Sequence, residues 1–144
     1  MEKLRQTLRV RKERAILVAA VPDGGDDLAE LAALAESAGA VVVDRFQQRI
    51  RTINPSTYIG KGKAEQLRAR VRQSKADVVI FDNDLSPGQI RELEKIIEIK
   101  VLDRSELILD IFSTRAKTRQ AKLQVELAQL EYTYPRLARM WSHL

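Results

Sequence analysis

Apolar residues fall in short runs through the first hundred positions and in a stepped pattern through the last thirty. Ala15–Val21 (AILVAAV) is unbroken apolar sequence of strand length, the pattern of a strand covered on both faces. Ala40–Asp44 (AVVVD), Asp77–Phe81 (DVVIF) and the short Lys100–Leu102 predict three further strands. Helical periodicity fills the gaps. In DDLAELAALAESAG, Leu28, Leu31, Leu34 and Ala35 line one face, Asp26 and Asp27 suit the positive start, and Gly39 ends the run. Lys63–Gln73 reads as a second helix. Ser86-Pro87-Gly88-Gln89 opens a third: the hydroxyl caps, proline occupies the first turn, and Gln89 reaches back. Asp103 with Glu106 repeats the capping pattern at the start of a long fourth helix. This alternation predicts an α/β fold, a small parallel four-stranded sheet with flanking helices, followed by a long helical arm.

The arm has its own pattern. Leu123, Leu127, Leu130, Tyr134, Leu137 and Trp141 recur at alternating steps of four and three, the spacing of one apolar seam on a helix. Arg115, Lys117, Arg119 and Lys122 crowd the first turns beside that seam, and Pro135 should kink or interrupt the helix. Two units are expected: an α/β domain over 1–112 and a basic helical arm over 113–144.

Charge sharpens this division. The 144 residues carry a net charge of +5. Residues 1–14 contribute +4, residues 15–112 contribute −3 and residues 113–144 contribute +4. An acidic body with two basic ends predicts attraction to a polyanion through the ends, against the plain alternative that exposed helices are rich in Lys and Arg. The chain has no cysteine, which removes disulfides and thiolate chemistry. Its longest apolar runs are too short to span a bilayer, and its N-terminus lacks the apolar core of a signal peptide.

Three sets of residues are candidates for chemistry. Gly60-Lys61-Gly62-Lys63 precedes a helix whose free amides and dipole favour an anion. It lacks the spacing and hydroxyl of a Walker A loop, and a solvated basic turn is the plain alternative. Among the acids at strand ends, Asp44, Asp82, Asp84 and Asp103, the pair Asp82 and Asp84 could hold a magnesium ion, although capping explains such acids equally well. Arg136, Arg139 and Trp141 combine cationic donors with a stacking surface suited to RNA. The single histidine, His143, lies near the end of the chain, and no nucleophile or carboxylate pair is placed for catalysis.

Three long segments, PSTYIGKGKAEQL (Pro55–Leu67), FDNDLSPGQIRELEK (Phe81–Lys95) and Val101–Leu144, resemble the N-terminal region of the HflX family of ribosome-associated GTPases. The resemblance implies an α/β domain and the first half of a helical hairpin, in a chain cut before the GTPase domain. Such a piece would not be an enzyme by itself; GTP and Mg2+ would belong to the missing domain. The implied partner is the large ribosomal subunit and its rRNA, in the cytoplasm, with the whole protein splitting or rescuing ribosomes under heat stress. Arg136, Arg139, Met140, Trp141 and His143 would then lie beside the hairpin tip, with Arg115, Lys117, Arg119 and Lys122 along the arm. Two other readings are an ATP-binding α/β domain using the GKGK loop, and an oligomerisation module that buries the bare seam in a homodimer.

Overall fold

The structure is a computed structural model that describes residues 9–21 and 28–133. Four strands, β1 (Arg14–Val21), β2 (Val41–Arg49), β3 (Val78–Phe81) and β4 (Lys100–Asp103), form one sheet in the order β2-β1-β3-β4. Every pairing is parallel. The helices are α1 (Ala29–Ser37), α2 (Lys61–Ser74), α3 (Pro87–Ile97), α4 (Arg104–Arg115) and α5 (Arg119–Thr133).

Strand alternation divides the core into two layers. Ala15, Leu17 and Ala19 of β1 pack with Leu31 and Ala35 of α1 and Leu107 and Ile111 of α4. Ile16, Val18 and Ala20 point the other way, onto Leu67 and Val71 of α2 and Ile90, Leu93 and Ile97 of α3. The chain moves one way from β1 to β2 and the other way to reach β3 and β4. Right-handed crossovers therefore place α1 on one face and α2 with α3 on the other. The α4 helix returns to the α1 face.

Two caps follow the sequence closely. Ser86 Oγ accepts from the Gln89 amide at 3.1 Å and Gln89 Oε1 accepts from the Ser86 amide at 2.9 Å. Asp103 and Glu106 repeat this reciprocal pair at the start of α4, with both side chains buried. The starts of α1 and α2 carry no side-chain cap. Leu28, with φ 63°, precedes α1 and offers no side-chain cap; Asp26 and Asp27 lie outside the described residues.

Two expectations need correction. The second strand runs five residues past Asp44, because the polar DRFQQR segment pairs with β1 along one edge and leaves its other edge to solvent. The single long helix expected from Asp103 is two helices. The first ends at Arg115 with Ala116 in extended conformation, and Thr118 Oγ1 then accepts from the Ala121 amide at 3.0 Å to start the second. A threonine cap in mid-sequence thus breaks what periodicity alone would continue.

Candidate nucleic-acid interface

The break distributes the arm cations over three settings. Arg115 closes α4 and donates from Nη2 to Ser37 Oγ at the end of α1, at 2.5 Å. Lys117 lies in the connection, and Arg119 and Lys122 lie in the first turns of α5. All four residues are exposed; the base of the arm is thus a solvent-facing cationic segment. Arg136, Arg139 and Trp141 lie outside the described residues, as do Tyr134, Leu137, Met140 and His143.

The described part of the apolar seam is uncovered, as expected of half a hairpin, and does not face α4. Leu123, Leu127 and Leu130 are 56%, 56% and 40% exposed. Ala128, Glu131 and Tyr132 instead line an open groove of about 460 Å³ with Ser105, Ile108 and Leu109 of α4. The Tyr132 hydroxyl reaches through to Asp103 Oδ2. Sequence reasoning passed over Tyr132, which sits beside the seam rather than in it.

The acids at the carboxyl ends of the strands are engaged in structure. Asp103 is fully buried; its Oδ1 accepts from the Glu106 amide at 2.9 Å and its Oδ2 from the Leu85 amide at 3.2 Å. Asp82 accepts from Arg104 Nη1 at 3.2 Å, and the other arm of that guanidinium reaches Glu30. These two carboxylates, Glu30 first, push the Arg104 pKa above its ordinary value despite partial desolvation. Asp84 accepts from Ser105 Oγ at 2.8 Å. Asp82 and Asp84 therefore turn to separate partners instead of converging, and the described residues contain no acid or histidine cluster with metal-site geometry. Asp44 is not at a strand end at all; it sits within β2 and pairs with Arg70 at 3.4 Å.

The order in which strands are added reverses between β1 and β3, where open α/β sheets receive ligands. Here Asn83 continues the ladder with its side chain. Its Nδ2 donates to the Ala20 carbonyl, and its Oδ1 accepts from the Ala20 amide, both at 3.0 Å. No sequence signal marked this residue.

Gly60 precedes α2 with φ 84° and ψ 154°, and no side chain caps that helix. Lys61 and Gly62 are exposed and Lys63 half-buried, and a Cβ at either glycine would meet nothing within 4 Å. The first-turn amides of α2 therefore open toward solvent between two lysines.

A parallel α/β domain with an appended basic helix is the architecture of a class of GTPase N-terminal regions. Residues 25–113 match the family described as "GTP-binding GTPase N-terminal", and residues 115–144 match "GTP-binding GTPase Middle Region". The chain belongs to the HflX GTPase family, within its N-terminal region. It is 47% identical over 135 residues to the GTPase HflX of Caldanaerobacter subterraneus, covering 92% of this chain and 32% of that protein. It is 44% identical over 119 residues to the Escherichia coli GTPase HflX, covering 83% of this chain and 28% of that protein. The chain thus spans about a third of the length of these curated relatives. Among solved structures, it resembles a GTP-binding protein of Sulfolobus solfataricus in complex with GDP. The TM-score is 0.67 at 25% identity, over 90% of this chain and 40% of that one. A structure of SsGBP with GDP gives a TM-score of 0.71 at 26% identity, over 88% and 36% of the two chains. No helix among the described residues is long and apolar enough to cross a membrane.

Proposed function

We propose that these residues form the ribosome-contacting N-terminal part of an HflX-like GTPase, which binds large-subunit rRNA through the arm and takes part in splitting or rescuing ribosomes under stress. The observation that carries this is the arm itself: α5 is fastened to the sheet domain by Tyr132 and presents Arg115, Lys117, Arg119 and Lys122 around its base. Arg136, Arg139 and Trp141 extend the same contact farther along the chain. GTP and Mg2+ act in a domain outside these 144 residues, and nucleotide state there sets the affinity of the whole protein for the ribosome. The setting is the cytoplasm, where ribosomes are found.

Cosedimentation with purified large subunits tests the reading. Binding at low salt that weakens steeply as salt rises, and is reduced by Arg115→Glu with Arg119→Glu, is the expected result. Absence of pelleting at low salt would refute ribosome contact by this part of the protein.

A second reading has its own observation. Leu123, Leu127 and Leu130 form an exposed apolar ridge on α5, which a second copy of the chain would cover by packing the same ridge against it. Self-association measured by analytical ultracentrifugation separates this from a monomer.

A further inference from the structure

The −3 of the sheet domain conceals a sharper partition. Between Arg45 and Lys75 the sequence holds nine Lys or Arg and one acid, Glu65; the rest of residues 15–112 holds four cations and fifteen acids. The fold gathers six of the nine along α2: Lys61, Lys63, Arg68, Arg70 and Arg72 lie on the helix, with Lys75 as its C-cap, and Arg51 lies in the loop after the edge strand β2. Arg45 and Arg49 pair with Leu17 and Val21 of β1 and so point to the opposite face of the sheet. Arg70 ties the two elements together: its guanidinium stands 4.9 Å from the Phe46 ring centroid of β2 and donates to the Arg45 carbonyl at 3.1 Å.

Nearby acids neutralise only part of this face. Glu98 pairs with Arg68 at 3.1 Å and with Arg72 at 3.8 Å, and Asp44 pairs with Arg70. Arg51, Lys61, Lys63 and Lys75 have no ion pair among the described residues. The two lysines of the first turn stand at the positive end of the α2 dipole, where an isolated helix favours acids. They add to the field of the uncapped amides instead of offsetting it.

We propose that the cationic surface of α2 is a second contact for the phosphodiester backbone of RNA, separate from the arm. Three of its six cations are arginines, whose planar forks suit phosphate oxygens. An anionic membrane fits poorly. The apolar residues of α2, Ala64, Leu67 and Val71, are buried in the core, and its outward positions, Gln66, Ala69 and Gln73, give nothing to insert into lipid. The face also lies on the opposite side of the sheet from α4, on which α5 packs. One domain would therefore engage RNA on both sides. The choice of RNA rests on the function proposed above; the location of the face does not.

The test is fluorescence anisotropy of the 144-residue chain with a labelled hairpin RNA across a salt series. Lys61→Glu with Lys63→Glu should weaken binding at least about tenfold at low salt and lower the log–log salt slope by about 1.5. Arg91→Glu with Lys95→Glu on α3 makes the same change in net charge elsewhere and should leave the slope in place. The α2 variant should melt no lower than the parent, because acids suit a helix start. Equal losses in both variants would show a net-charge effect, and no loss in the α2 variant would show a solvated face or one meant for an acidic protein; either overturns the inference. If only Arg115→Glu with Arg119→Glu removes binding, the α2 contact fails while the arm reading stands.

Discussion

The Tyr132 hydroxyl donates to Asp103 Oδ2, joining the arm helix to the carboxylate that caps α4. Asp103 is fully buried, and its other acceptor sites serve the Glu106 and Leu85 amides. One side chain thus links the end of β4, the β3–α3 loop, the start of α4 and the arm. Tyr132→Phe should cost about 1–2 kcal/mol through loss of a hydrogen bond to a charged group. Hydrogen exchange should accelerate along α5 more than in the sheet; uniform acceleration would refute a latch specific to the arm.

Asp110 carries a pH dependence. Burial raises its pKa from 3.8 to about 6, against the opposing pull of the Val10 amide, Arg9 and Lys100. Because the folded value lies above the unfolded one, the folded state holds this proton more tightly. The resulting stability is fully present below about pH 4 and is lost as pH rises through about 6, an effect of about 2 kcal/mol. Asp110→Asn should flatten that part of the stability profile in urea titrations at a series of pH values. An unchanged profile would remove Asp110 as its source.

Gly60 and Gly62 should respond in opposite directions. Gly60 adopts φ 84° and ψ 154°, so Gly60→Ala should cost about 1–3 kcal/mol although the space around it is open. Gly62 lies inside α2 in equally open space, and Gly62→Ala should stabilise by about 0.5–1 kcal/mol. Thermal melts of the two variants decide it; shifts of the same sign would contradict the backbone assignment.

Ser86→Ala should cost about 1 kcal/mol by removing one half of the α3 capping box. Gln89→Ala should cost more, since Gln89 also donates to the Asn54 carbonyl at 3.1 Å and so ties α3 to the loop before α2. A double-mutant cycle would show coupling between the two residues.

Leu123→Ser with Leu127→Ser should change monomer stability by no more than about 0.5 kcal/mol, because both side chains are more than half exposed. The same variant should weaken any self-association seen by ultracentrifugation. A large loss of stability would mean that the ridge is packed within one chain.

The sheet was legible because strands buried on both faces need continuous apolar sequence, and AILVAAV and DVVIF supply it. Both reciprocal caps were legible for a similar reason: their chemistry is local. The break at Ala116–Thr118 was not, since SELILDIFSTRAKTRQAKL contains no glycine or proline and Thr118, the cap of α5, is equally at home inside an exposed helical run. The site shows the same divide. Lys61 and Lys63 stood out by composition, whereas the surface they share with Arg70 and Arg72 depends on which positions of α2 the core leaves outside. Averaging charge over the whole domain cancelled that face against acids elsewhere. Asn83 gave no signal because its role is to imitate a strand that the sequence does not continue.

The reversal of strand order at β1 has a mechanical corollary. It places α2 in one outer layer of a three-layer plate and α4, which bears the arm helix, in the other, with the sheet as a stiff spacer. If both cationic surfaces contact RNA as proposed, the plate would work as a gauge: only anionic walls separated by its thickness could touch both sides together, and a gap that opened or closed would release one of them.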